Sequence, residues 1–457
     1  MTTAIAQDTV VLRPRPLARS AGILILVPLL PKPAPLKPLP GEIWSRILAI
    51  VIDDPRSSSI HRGVKPKHSK WDLVLVCRQF KNVALPLLYR HCRPLDLRSL
   101  EQFTLHLYFS EQRWDSIRRI PYSTPGRWVQ SLDLSRIVSE SCSELFLLDS
   151  LLTTVFPLTP FLTRLELNPS IPLSRRAMNV LGHRDGAQNL CLLKGVKYDI
   201  TPPIPYHRPQ HGEDPLTQLV SCCGGLEELE VLGSGINEFD GLVTSHFPQI
   251  PPLQALNLPH LHTLTMLSMP LSDLLLHLIY TPLPSLTNVV ITPYGDLQYP
   301  ASVVSLFLRT HGPSVTALIL HTPKSWPTAV YPAPSSLLLM MPNLKILSIE
   351  HLLPNLFIPL RRTNASSSNS DEELQVHSLE TLWVPRPTVQ FRGTLEQMLP
   401  HLPKLNEVRA RDVRWMKQGM SARALEAGFQ GEMRTWHRIL KPRRIKMLDA
   451  DGRGANE

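Results

Sequence analysis

Few side chains in this 457-residue sequence are spaced to make or break bonds. His183-Arg184-Asp185, with Asn189 close behind, has the residue types of a phosphoryl-transfer catalytic loop. That chemistry also needs a glycine-rich loop over the phosphates, a lysine-bearing strand and a metal-binding Asp-Phe-Gly, and the sequence contains none of them. The triplet therefore reads as a turn. Gly233-Ser234-Gly235 lacks the G-x-S-x-G frame that exposes a nucleophilic serine, and no phosphate-binding G-x-x-x-x-G-K-[ST] or G-x-G-x-x-G or metal-binding H-E-x-x-H occurs. The six cysteines (Cys77, Cys92, Cys142, Cys191, Cys222 and Cys223) form no C-x-x-C, and most lie among leucines, where a thiol behaves as a small hydrophobe. The 17 histidines show no ligand spacing. The expectation is a chain without catalytic residues, metal or cofactor, with reduced thiols suited to a cytoplasmic or nuclear setting.

The elements that position its side chains are more legible. Hydrophobic residues make up 43% of the chain, aromatics only 6%, and there are 45 prolines. Proline near twice its usual frequency excludes long unbroken helices. A six-residue pattern, apolar-x-x-apolar-x-apolar, begins at Val129, Leu162, Leu190, Leu226, Leu261, Leu286, Val315, Leu344 and Leu379, with a degenerate copy at Leu405. Alternation at its end predicts a short strand with one buried face. Before most copies stands a leucine stretch closed by Pro, Cys or Gly, such as LLTTVFPLTPF or LTQLVSCCGG. Each unit is thus a helix, a tight turn and a strand. One such unit cannot bury its own apolar face, so neighbours must stack. The predicted fold class is α/β, an irregular leucine-rich-repeat solenoid over residues 95–410. LQALNL at Leu253 competes with Leu261 for one strand register.

Polar segments interrupt the array at Asp199–Pro215 and Arg361–Glu373. In the second, Ser370 precedes three acids and is a candidate for acidophilic phosphorylation, beside the plainer reading of a solvated linker; Asn364-Ala365-Ser366 is discounted as a glycosylation site without a secretory context. Residues 1–35 read as a disordered proline-rich arm, because the apolar run Ala21–Leu30 is too short to span a bilayer and no small-residue cleavage site follows it. The net charge of +10 is segregated: residues 1–100 carry +10, 101–403 carry −6, 404–446 carry +8 and the last eleven −2. Residues 411–457 are expected to be a basic tail with a helix between Ser421 and Leu440, where Trp415, Phe429 and Trp436 interleave with Arg and Lys. Such a surface suits acidic partners, but nothing in it resembles a nucleic-acid-reading module.

Residues 36–94 read as a compact helical domain with a basic loop, 53–70, inserted. Ile43, Ile47, Leu48 and Val51 follow Pro40 at helical spacing, and a second helix runs through Leu73, Val76, Phe80 and Val83 until Pro86 should break it. The residues Leu39-Pro40-x-Glu42-Ile43, Ile47-Leu48, Leu73-x-x-Val76-Cys77-Arg78-x-Phe80, Val83-Ala84 and Leu87-Leu88-Tyr89 resemble an F-box. An F-box followed by leucine-rich repeats resembles the F-box/leucine-rich-repeat substrate receptors, and the long inserted loop is similar to those of fungal members. The resemblance implies a non-catalytic subunit of a Skp–cullin–F-box ubiquitin ligase. The helical domain would bind a Skp-type adaptor, and through it a cullin–RING ligase, while the repeats hold a client protein. By the same resemblance the adaptor-binding residues are Leu39, Pro40, Ile43, Ile47, Leu48, Leu73, Val76, Cys77, Phe80, Val83 and Leu87, some of which belong equally to the interior of such a domain. The alternative is a repeat scaffold for protein docking outside any ligase.

Overall fold

A computed structural model describes residues 39–53, 70–112, 124–198, 214–233, 255–269, 272–296, 302–323, 333–353, 356, 376–415 and 428–455. They form a mixed α/β architecture of thirteen α-helices and one twelve-stranded, all-parallel sheet. The strands are added in sequence order, each beside its predecessor. They are β1 (His91–Cys92), β2 (Ser131–Asp133), β3 (Arg164–Glu166), β4 (Leu192–Tyr198), β5 (Glu228–Gly233) and β6 (Thr263–Leu267), then β7 (Asn288–Ile291), β8 (Ala317–Leu320), β9 (Ile346–Ser348), β10 (Thr381–Val384), β11 (Glu407–Ala410) and β12 (Lys446–Leu448).

All ten copies of the sequence pattern coincide with strands β2 to β11. The first apolar position of each, from Val129 to Leu405, is buried, as is the fourth. Two N–H groups of each strand entry from β3 to β11 converge on one carbonyl of the previous unit: Thr163 and Arg164 on Gln130, Cys191 and Leu192 on Thr163, Glu227 and Glu228 on Cys191. The same pairing recurs through Asn406 and Glu407 on Glu380. This ladder fixes one register for the whole stack. It also resolves the competing registers near Leu253: the Leu261 copy takes the strand, while Leu256 and Leu258 are buried in the turn before it.

The helices are α1 (Gly41–Asp53), α2 (Leu73–Val76), α3 (Arg78–Arg90), α4 (Leu97–Gln112), α5 (Pro125–Trp128), α6 (Cys142–Leu158) and α7 (Arg175–His183), followed by α8 (Pro215–Cys222), α9 (Asp273–Tyr280), α10 (Val304–His311), α11 (Leu337–Met340), α12 (Val389–Met398) and α13 (Gly428–Leu440). Seven of them start on a side-chain cap: Cys77 accepts the Phe80 N–H before α3, and Asp96 accepts the Ser99 N–H before α4. Ser141, Ser174, Asp214, Ser272 and Thr388 each accept the N–H three residues on, at Glu144, Ala177, Thr217, Leu275 and Phe391. Helices and strands enclose one apolar core running from Leu100 to Met447. Gly195, at φ +71°, lets β4 bulge against the Leu167 carbonyl, where a Cβ would collide.

Three expectations need correction. The second N-terminal helix does not end at Pro86. It breaks at Cys77, whose backbone is extended and whose sulfur accepts the Phe80 N–H at 3.4 Å, and α3 then runs through Pro86 to Arg90. The sheet begins inside the segment assigned to the helical domain, because β1 follows α3 directly and pairs with β2. Residues 428–455 are not a tail: β12 pairs with β11, and α13 buries Met433, Trp436 and Leu440, with Trp436 stacked on Phe391 at 6.0 Å. The apolar spacing of that helix outweighs its charge. Of the expected Ser421–Leu440 helix the described part is Gly428–Leu440; Ser421 itself, most of the 53–70 loop, Ser370, Asn364 and the 1–35 arm lie outside the described residues.

Candidate functional sites

The described residues hold no cluster of three His, Cys, Asp or Glu side chains placed for a metal ion, and all six cysteines are free. The His183-Arg184-Asp185 triplet is split. Arg184 is buried, and its guanidinium donates to the carbonyls of Thr159 at 2.9 Å, Pro160 at 3.4 Å and Leu162 at 2.7 Å, which closes the turn between α6 and β3. His183 contacts the Asn179 carbonyl on the helix exterior instead. Two exposed surfaces remain, and both are suited to binding.

The first is on the N-terminal helices. Leu48, Ile52 and Ala84 form a small core, with Leu73, Phe80, Val83, Leu87 and Leu88 packed against it. Phe80 also meets Trp44 at 4.7 Å between ring centroids. Of the eleven residues singled out in the sequence, Leu48, Leu73, Phe80, Val83 and Leu87 therefore face inward. Leu39, Pro40, Ile43, Ile47, Val76 and Cys77 are exposed. Pro40 and Cys77 shape the backbone: the Pro40 carbonyl accepts the Ile43 and Trp44 N–H groups at the start of α1, and Cys77 caps α3.

Helical periodicity explains the division of α1. Trp44, Leu48 and Ile52 recur every four residues toward α3, whereas Ile43, Ile47, Ile50 and Val51 form an adjoining stripe in solvent. The sequence reading left Ile50, Val51, Trp71 and Leu75 out of the site, yet all four are exposed, Leu75 at 84% and Ile50 at 71%. The i+3/i+4 spacing from Ile43 and Ile47 carries the signal for Ile50 and Val51. Each such side chain would gain about 1.5–3 kcal/mol on full burial against another surface.

The second surface is the face of the sheet that the helices leave open. Register aligns Glu166 with Lys194, Glu228 with Thr263, and then Glu230, Thr265, Val290, Ile319, Ser348, Trp383 and Arg409 in one row across β5 to β11. Charge occupies its early strands. Arg93 pairs with Asp133 at 2.7 Å, and Lys194 with Glu228 at 2.6 Å. Burial raises the Glu230 carboxyl above its usual range; Lys194 opposes the rise, while Glu166 and Glu228 add to it. Later strands carry more apolar side chains, Val290, Ile319 and Ile346, beside Asn288 and Thr381, and the Trp383 ring lies under Arg409 at 5.3 Å. A groove of about 870 Å³ lies between the end of α3 and the strand entries, lined by Leu87, Arg90, Gln130, Thr163, Cys191 and Glu227 among others.

No helix among the described residues is long and apolar enough to cross a membrane. No protein-family model matches the chain, and no curated protein is significantly similar to it.

Proposed function

We propose that this chain is a non-catalytic client receptor of a Skp–cullin–F-box ubiquitin ligase. On this reading residues 39–90 are an F-box-like module that docks a Skp-type adaptor, and the stacked units are an irregular leucine-rich-repeat solenoid whose open sheet face holds the client. One observation carries the reading: the N-terminal helices bury a minimal core yet expose Ile43, Ile47, Ile50, Val51, Leu75 and Val76 on the outside. A self-contained domain would turn part of that surface inward, while an adaptor-binding one needs it free. The sequential parallel sheet supports the second half, since stacked units give an extended surface for a protein partner. Placement in the cytoplasm or nucleus follows from the reading.

Co-expression with a Skp-type adaptor tests it. The expected outcome is a stable complex of the intact chain and the adaptor, and client ubiquitination that depends on the complex. Absence of association from a folded chain would remove the ligase and favour a repeat scaffold that binds proteins on its own.

A further inference from the structure

The open face of the sheet has a chemical direction. At β3 to β5 it presents Glu166, Glu228 and Glu230. Lys194 is spent on Glu228 at 2.6 Å, and among the described residues no ion pair reaches Glu166 or Glu230. From β7 to β10 the face carries Val290, Ile319, Ile346 and Trp383 beside the polar Asn288 and Thr381, with Ser348 buried beneath Arg411. Between those ends β6 offers only Thr263 and Thr265.

The backbone of these strands cannot take part in recognition. Each inner strand is paired on both sides, so its N–H and C=O groups are satisfied within the sheet. A partner must be read by side chains alone: cations against the carboxylates and apolar groups against the later strands. From β5 to β10 there are five strand spacings, about 24 Å. An extended chain covers that distance in about seven residues.

We propose that this face binds an extended segment of a client protein carrying Arg or Lys side chains at one end and apolar side chains about seven residues further on. The segment crosses the strands, its cations over Glu166, Glu228 and Glu230 and its apolar end over Val290, Ile319 and Trp383. The inference rests on the reading of this face as the client surface and adds the client's chemistry to it. Complementary charge selects the orientation, and the apolar end supplies the desolvated contact. An acidic segment in the same place would meet Glu166 and Glu230, which no ion pair among the described residues reaches.

The test is a fluorescence-anisotropy titration of the full chain, without adaptor, using two labelled peptides. Both end in Leu-Trp-Leu after a glycine–serine spacer; one begins with arginines and the other with glutamates. The arginine peptide should bind the natural chain and the glutamate peptide should not. The charge-reversed variant Glu228→Arg/Glu230→Arg should lose at least about tenfold toward the arginine peptide and gain the glutamate peptide. Misfolding cannot produce that gain. Ile319→Asp should weaken both productive pairs. Equal affinity of the natural chain for the two peptides, no binding of the arginine peptide, or an unchanged preference after charge reversal would each overturn the proposal. Because no adaptor is present, failure here leaves adaptor docking standing, and failure of adaptor docking leaves this result unaffected.

Discussion

Individual buried polar side chains hold successive units together. Arg184 satisfies three carbonyls of the turn before β3, and His311 and His377 do similar work further along, meeting the Leu278 carbonyl at 2.9 Å and the Met341 carbonyl at 3.0 Å. Arg184→Met keeps the aliphatic stem but orphans those carbonyls, and should lower unfolding free energy by about 3 kcal/mol in urea titration. His377 must be neutral, because its Nδ1 accepts the Leu379 N–H while Nε2–H donates to Met341. Burial lowers the pKa of both histidines below the usual 6.5, with the carbonyl contacts opposing the shift. Above that value both folded and unfolded chains are neutral, and the native contacts contribute in full. As pH falls below it, the unfolded chain takes up protons before the folded one, so stability is lost toward acid. The thermal midpoint should therefore fall between neutral pH and pH ~5.5, and a His311→Gln/His377→Gln variant should show a flatter profile. An identical pH slope in that variant would remove the histidines from the account.

Elements were legible wherever one short-range rule governed them. The ten strands follow from the apolar pattern, because each first leucine or valine has a single way to face the core. The Ser, Asp and Thr caps of α6 to α9 and α12 stand three residues before their N–H partners and are equally plain in the sequence. Where two local rules compete, the sequence is ambiguous. Pro86 argues for a helix end, but the break falls at Cys77, where an extended backbone and a side-chain cap start a new helix. The C-terminal segment misleads for a related reason. Its basic residues dominate the composition, while Met433, Trp436 and Leu440 are spaced for one buried stripe against α12. Of the candidate adaptor site only part of the apolar set was legible, since Ile50, Val51, Trp71 and Leu75 were missed. The direction of the rest was not legible, since Phe80 and Ile43 look alike in sequence and face opposite ways. The C-terminal element closes the open end of the core. Trp436→Ala should cost about 3–5 kcal/mol, measured by chemical denaturation. Phe429→Ala, on the exposed side of the same helix, should cost far less.

At the scale of the molecule, charge and apolar surface are sorted rather than spread. The basic excess lies at the two ends of the chain, while the body between is net acidic and presents carboxylates on its early strands. Exposed apolar side chains form the outer stripe of the N-terminal helices and also stand on α4 and α6 (Leu105, Tyr108, Phe109, Phe146), while Val290, Ile319 and Trp383 of the later strands are half-buried. The helix stripe and the sheet face belong to different parts of the fold, so on the proposed reading adaptor and client would occupy separate sites. Substituting the helix stripe should separate binding from folding, because those side chains are already in water. The most direct measurement is calorimetric titration of a Skp-type adaptor into the natural chain and into Ile43→Asp/Leu75→Asp, with thermal unfolding of both. The account predicts binding by the natural chain, a loss of about a hundredfold or more in the variant, and superimposable unfolding transitions. Equal adaptor affinity in the two proteins, or no binding by the folded natural chain, would contradict it.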